Sequence, residues 1–183
     1  AAMYSIFVDD EPAPQVVKRE PREPEPPTPM IYWDSVTMKP YLHHADENPL
    51  LRWMLALPYS PEHLANLRQM IEVYCVGTSL KGATQGWAMF PEIDTDMRLR
   101  DVKMMAYKED GHRDKQSGWN FDWIHSTLSR HWDVEKHEMT DEPPYPYPHL
   151  YDPDKQEPCL TFFGMHLLNK YPNASVNIVE SEK

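Results

Sequence analysis

The residues best suited to bind a metal are nine histidines and two cysteines, Cys75 and Cys159. Metal ligands on one helix need a spacing of three or four residues, or a Cys-x-x-Cys knuckle. His125, His131 and His137 are each six residues apart, a spacing that scatters them around a helix. Cys159 and His166 are seven residues apart and share a face of a predicted helix, but a complete ligand set is missing. The sequence therefore predicts no metal site.

The segment from Gly77 to Thr84 is the closest approach to a phosphate-binding loop. Such a loop needs Gly-x-x-x-x-Gly-Lys-Ser/Thr, because the lysine ammonium neutralises the β and γ phosphates. Ala83 stands at the lysine position, and Lys81 lies inside the loop instead. No Gly-x-Ser-x-Gly elbow and no known Cys–His signature occurs. We therefore expect no catalytic residues, no cofactor and no enzymatic activity.

Charge and composition favour protein partners over nucleic acid. The formal net charge is −11, from 18 basic and 29 acidic residues, and an acidic field opposes the approach of phosphates. Direct DNA binding is therefore disfavoured, and RNA is not an expected partner. The 11 Met, 10 Tyr and 6 Trp residues are types that interface cores favour. They predict contacts with other protein subunits.

The elements that must position these residues are predicted to be mainly helical. Asn48 caps a short helix that starts at Pro49, and Ser60-Pro61-Glu62 opens a second that ends before Gly77. A third is predicted from Asp94 or Thr95, and a fourth from Ser117. A last amphipathic stretch covers residues 159–170. The predicted fold class is mainly α, with three to five short helices, proline-rich extended arms and little or no sheet.

Proline divides the chain into three predicted regions. It makes up 19 of 183 residues, about twice the usual share, and it favours stiff extended segments. Residues 1–47 form an extended proline-rich arm, residues 48–139 a small helical domain, and residues 140–183 an extended segment with a short helix and tail. The arms cannot bury enough of their own apolar surface to order themselves, so we expect them to lie along partners.

Large aromatics and rigid prolines are the predicted partner-binding residues, since they bury much area with little loss of rotamer freedom. They are Tyr32, Trp33, Trp53, Trp119, Trp123, Trp132, Pro143, Pro144, Tyr145 and Tyr147.

One run of residues carries a family resemblance. Trp132, His137 and the continuous segment Met139-Thr140-Asp141-Glu142-Pro143-Pro144 resemble the corresponding run of a small matrix-arm accessory subunit of mitochondrial complex I, in the family that includes mimitin. The match covers 13 residues, and Glu135 stands where that family has a second tryptophan. The resemblance implies a structural, non-catalytic role on a respiratory complex in the mitochondrial matrix, without a cofactor.

Together these observations predict a non-catalytic accessory subunit of a large mitochondrial assembly, a respiratory-chain complex or ATP synthase, whose arms connect neighbouring subunits. We expect it on the matrix side or peripheral to the inner membrane, with its presequence removed, because it starts Ala1-Ala2 and has no apolar run long enough to span a membrane. One alternative is a protein-facing subunit of a mitochondrial ribosome. Another is a secreted binding domain with a Cys75–Cys159 disulfide and a glycan on Asn173.

Overall fold

The computed structural model describes residues 30–116, 118–136, 138–140, 145, 152–153, 155–158 and 160–176. The predictions for residues 1–29, for Pro143, Pro144 and Tyr147, and for the end of the tail lie outside the described residues.

The centre of the fold is an antiparallel sheet of five strands, not a helical bundle. Its strands are β2 (Trp33–Asp34), β3 (Gly77–Thr78), β4 (Ala88–Ile93), β5 (Arg98–Met105) and β6 (Phe121–Trp123). β5 is the central strand: β4 pairs along one edge, while β2 and β6 pair with opposite ends of the other edge.

The predicted mainly α class is therefore wrong, and the fold mixes helices with a sheet. The error comes from residues 94–106, where Leu99, Val102, Met105 and Ala106 suggested one face of a helix. These residues form β5 and its end. A central strand is covered on both faces, so it lacks the alternation of polar and apolar residues that marks a half-exposed strand.

Four α-helices accompany the sheet in the part of the chain that the structure describes. They are α1 (Pro49–Ala56), α2 (Pro61–Val73), α3 (Ile124–Arg130) and α4 (Leu167–Lys170). The predicted α1 and α2 are confirmed, including caps in which the Asn48 and Ser60 side chains accept backbone N–H groups. The helix predicted from Ser117 is shorter: residues 121–123 are β6, and α3 begins only at Ile124.

Residues 30–47, predicted to belong to an arm, pack into the same domain. Trp33 pairs with Leu99 across β2 and β5 and is only 6% exposed. Met38, in the 3-10 helix Ser35–Tyr41, is 2% exposed. A two-residue strand, β1 (Met30–Ile31), pairs in parallel with β9 (Glu157–Pro158), more than 120 residues further along the chain. The remaining short strands, β7 (Trp132–Asp133) and β8 (Glu138–Met139), form a hairpin.

The hydrophobic core lies on one face of the sheet. It consists of Trp33, Met38, Met89, Ile93, Leu99, Val102, Met104, Ile124, Leu128 and Tyr145. None of the helices in the described part of the chain combines the length and apolar character that crossing a membrane requires.

Candidate functional site

The face of the sheet opposite the core carries a row of polar and aromatic side chains. Lys103 on β5 lies between Phe90 on β4 and Trp123 on β6, and Glu92 lies opposite Asp101. Side chains alternate between the two faces of a strand, so these residues point away from the face that contains Val102 and Met104. We call Phe90, Glu92, Lys103, Phe121 and Trp123 the outer face.

Asp101 anchors a chain of hydrogen bonds that starts beneath this face. Its carboxylate is fully buried and accepts the backbone N–H of Val102 at 2.7 Å. It also contacts Nδ1 of His125, the second residue of α3. Because the carboxylate only accepts, Nδ1 must hold a proton; in the neutral imidazole Nε2 then accepts from Ser126 Oγ, which lies 3.1 Å away.

Glu92 is the most perturbed carboxyl group of the outer face. Burial raises its pKa from an ordinary 4.5 to about 6, and the nearby Asp101 carboxylate adds to this rise. The backbone N–H of Thr161, which donates to Glu92 Oε2 at 2.8 Å, opposes the rise. Lys103 and His125 also favour the charged form of Glu92, so three neighbouring side chains act on its pKa.

Two cations lie over aromatic rings of β6. Lys103 Nζ is 5.6 Å from the centre of the Trp123 ring, and the Arg113 guanidinium is 5.4 Å from the centre of the Phe121 ring. The Trp123 ring also lies 6.0 Å from the imidazole of His125. Both distances from cation to ring fall within the range of a cation–π interaction.

The Asp101–His125–Ser126 chain has the same order of bonds as a Ser–His–Asp triad. A hydrolase also needs a substrate cavity beside the nucleophile and donors for the oxyanion. Neither His125 nor Ser126 lines any of three cavities formed by described residues. The contacts of Asp101 with Val102 on β5 and with His125 at the start of α3 connect the sheet to the helix. We therefore interpret the chain as structural and not as a catalytic triad.

The largest of these cavities is a groove along α2 of about 530 Å³. Its α2 residues recur at helical spacing, so one face of this helix has no partner in the described structure. We call it the α2 groove; it is lined by Asn66, Gln69, Met70, Val73, Tyr74, Phe163, Gly164, Leu167, Leu168, Tyr171, Ala174, Ser175 and Val176. Five of these side chains are large, apolar and exposed: Met70, Phe163, Leu168, Tyr171 and Val176. None of these described lining residues is charged, although Lys170 Nζ lies 5.5 Å from the centre of the Tyr171 ring.

The predicted partner-binding aromatics are distributed over the whole fold. Trp33 and Tyr145 are buried in the core, and Trp132 packs against it. Tyr32 is 54% exposed and lies under the guanidinium groups of Arg98 and Arg100.

The other three predicted aromatics retain some accessible surface. The ring of Trp53 on α1 packs against Gly111, where any side chain would collide with it. Trp119 is 42% exposed and contacts Trp87. Of the described members of the predicted set, the outer face contains Trp123 alone.

Sequence reasoning missed Asp101 and Lys103, because residues 94–106 were assigned to a helix, and it placed Phe121 in the helix predicted from Ser117. It gave no signal for Glu92. The alternation of Trp119, Phe121 and Trp123 is a period-2 signal that could have revealed β6.

The glycine-rich loop after α2 is occupied by a tyrosine. The Tyr145 hydroxyl contacts Ser79 Oγ at 2.7 Å and also Thr84 Oγ1, and the two loop hydroxyls lie 2.9 Å apart. The side chains of the described residues also form no group of three His, Cys, Asp or Glu that could hold a metal ion.

The fold and this site define a small mixed α and β domain with an aromatic sheet face and an apolar helix groove. The model of one family, described as a domain of unknown function (DUF6371), matches residues 48–183. The match covers most of the chain, which therefore belongs to this family. No curated protein and no solved structure matches it.

Proposed function

We propose that this protein is a non-catalytic subunit of a protein assembly and that it binds its partner through the α2 groove. The observation that carries the proposal is the concentration of exposed apolar side chains there: five of the fifteen large apolar side chains exposed among the described residues line this groove. An apolar patch of this kind is typical of a surface that another protein covers.

The shape and chemistry of the groove favour an apolar helix as the occupant. The groove runs along one face of α2, and helix-in-groove recognition uses apolar side chains at the same helical spacing. Asn66 and Gln69 are the polar side chains contributed by α2. Because none of the described lining residues is charged, an uncharged apolar face would complement the groove best.

The cellular setting of this assembly remains a further proposal. A respiratory-chain complex or ATP synthase is favoured only by the resemblance of the run from Trp132 to Pro144. Within that run, Trp132 and Met139 lie opposite each other in the β7–β8 hairpin. The Trp132 side chain packs against the core, which fits a structural role for this residue.

Site-specific photo-cross-linking in the native cell tests the docking proposal. A photoreactive residue in place of Met70, which is 55% exposed, should give one discrete cross-linked product. Leu168→Asp should abolish it, because a carboxylate would be buried without a partner. The same probe in place of Tyr59, which is 47% exposed and outside the groove, is the matched control.

Two outcomes would refute docking through the groove. One is a chain that stays monomeric in native extract and gives no product from position 70. The other is a product that joins position 70 only to residues 177–183 of the same chain, which would identify the groove as an intramolecular contact.

The Asp101–His125–Ser126 chain supports a second candidate, a serine hydrolase. An activated serine reacts with a fluorophosphonate probe, and the Ser126→Ala variant would not. Labelling of Ser126 that depends on His125 would favour the hydrolase. A chain that remains unlabelled while folded would leave the non-catalytic proposal in place.

A further inference from the structure

We propose that the outer face of the sheet is a second binding site, which takes single-stranded nucleic acid. This site is distinct from the α2 groove and does not depend on the docking proposal. Its elements are aromatic rings on β6 and the cations that lie over them.

The rings have the spacing and exposure that base stacking needs. Phe121 and Trp123 are two residues apart on β6, so they point to the same side and their Cα atoms are about 6.8 Å apart. Phe121 is 47% exposed, and Trp123 is half-buried, so each ring is held by the sheet while part of it remains accessible. Unpaired bases stack on such rings whatever their sequence.

Each ring is accompanied by a cation that can contact the phosphates of the same strand. Lys103 lies over Trp123 at 5.6 Å and Arg113 over Phe121 at 5.4 Å. Arg113 Nε donates to Asn120 Oδ1 at 3.1 Å, which fixes the guanidinium beside β6. Stacking rings alternating with cations are the combination that proteins use to bind single strands without sequence preference.

The charge distribution removes part of the objection raised by the net charge of −11. Residues 98–116, which contain β5 and the hairpin after it, hold six basic and four acidic residues, and two of the six, Arg98 and Arg100, pair with Asp94 and Asp96 just before β5. One of the four acids, Asp101, is fully buried. Residues 1–29 and 137–183 together carry 14 acidic and 6 basic residues, so −8 of the total belongs to these two stretches and −3 to residues 30–136.

Glu92 limits the site at one end. Its carboxylate lies on the same face as Lys103, two residue pairs further along β4 and β5, and it would repel a phosphate. We therefore place the strand over Phe121, Trp123 and Lys103. Removing the Glu92 charge should therefore raise the affinity for a single strand. If the outer face served only to stabilise the sheet, this substitution would not change that affinity.

Fluorescence anisotropy with labelled single strands of about ten nucleotides, as DNA and as RNA, tests the proposal on the full chain. We expect binding at low salt that weakens as salt rises. Phe121→Ala and Trp123→Ala should each weaken binding about tenfold, and Lys103→Gln should weaken it and reduce its salt dependence. Glu92→Gln should strengthen binding. Tyr59→Ala, an exposed aromatic outside this face, is the matched control and should change nothing.

Trp123→Phe covers the case in which Trp123→Ala fails to fold, because the smaller ring can still stack. Retained affinity in Trp123→Phe and lost affinity in a folded Phe121→Ala variant would support the site. Three results would overturn it: no binding of either strand at low salt, equal binding of a duplex in which the bases are already stacked, or the same loss in Tyr59→Ala as in Phe121→Ala.

Discussion

The buried carboxylate of Asp101 contacts Nδ1 of His125 and thereby joins the central strand of the sheet to the first turn of α3. Asp101 is fully buried, whereas the side chain of His125 is 22% exposed. A buried carboxylate is costly unless its oxygens are satisfied, and the Val102 N–H and the imidazole supply that compensation. The position of His125 beside Trp123 thus depends on a residue that is 24 positions away in sequence.

Replacing Asp101 with Asn tests this connection. Asn keeps the shape but offers His125 a neutral acceptor, so we expect the free energy of unfolding to fall by about 1.5–3 kcal/mol. Urea unfolding followed by far-ultraviolet circular dichroism measures the change. The matched control is Asp96→Asn, whose side chain is 65% exposed and pairs with Arg98. It should change stability by less than about 0.5 kcal/mol. Equal losses in the two variants would contradict the proposed role of Asp101.

Replacing Glu92 with Gln should reduce the pH dependence of stability. The pKa of Glu92 is raised to about 6 in the folded state, so the folded protein binds this proton more tightly than the unfolded chain. The resulting stabilisation is complete below about pH 4.5 and is lost as pH rises through about 6. Gln can still accept the Thr161 N–H, and it removes the partly buried charge.

We therefore expect Glu92→Gln to be more stable than the original protein near pH 7, by about 0.5–1 kcal/mol after allowance for solvent screening. The difference should disappear near pH 4. Thermal unfolding at a series of pH values measures both effects. A variant that is less stable near neutral pH would show that the charged carboxylate contributes a favourable interaction.

The parts of the fold that could be predicted are those with local signals. α1 and α2 were predicted correctly, because a capping side chain and a proline at the first helical position lie next to each other in sequence. β5 could not be distinguished from a helix, because both of its faces are covered and its apolar residues do not alternate. The identity of β5 is fixed by its pairing with β2, β4 and β6, which is information from distant segments.

The candidate site was harder to predict for the same reason. Lys103 is separated from Phe90 and from Trp123 by a turn or a hairpin, and only the strand register brings the three together. The prediction that aromatics mark partner surfaces could not separate Trp33, which is buried in the core, from the half-buried Trp123 on the outer face. Residue type gives the chemistry of a side chain, but burial depends on the register.

Asn48 should be among the most sensitive polar residues of the domain. Its side-chain oxygen accepts the N–H groups of Leu50 and Leu51, and its amide donates to the Gly77 carbonyl and to Thr78 Oγ1, each at 3.3 Å. Because Asn48 is fully buried, Asn48→Ala removes the cap of α1 and leaves buried groups on β3 without a donor.

We expect Asn48→Ala to lower the free energy of unfolding by about 2–3 kcal/mol. Asn66→Ala, on the exposed surface of α2, is the control and should change stability by less than about 0.5 kcal/mol. Chemical denaturation of both variants under the same conditions compares them directly. A loss in Asn48→Ala as small as that of the control would mean that water replaces these hydrogen bonds at no cost.

A pair of glycines separates backbone strain from steric collision. Gly111 and Gly118 both have positive φ, 78° and 72°, so alanine at either position adopts an unfavourable left-handed conformation. A Cβ at Gly111 would lie 2.3 Å from Cδ2 of Trp53, whereas a Cβ at Gly118 would meet nothing within 4 Å. Gly118→Ala should therefore cost about 1 kcal/mol, the strain alone. Gly111→Ala should cost about 2–4 kcal/mol, because the ring of Trp53 must move as well.

The double variant Gly111→Ala with Trp53→Leu should be less destabilised than the two single changes together predict, since the smaller side chain removes the collision. Thermal unfolding of the four variants measures this coupling, and strictly additive losses would show that Trp53 and residue 111 are not in contact in solution.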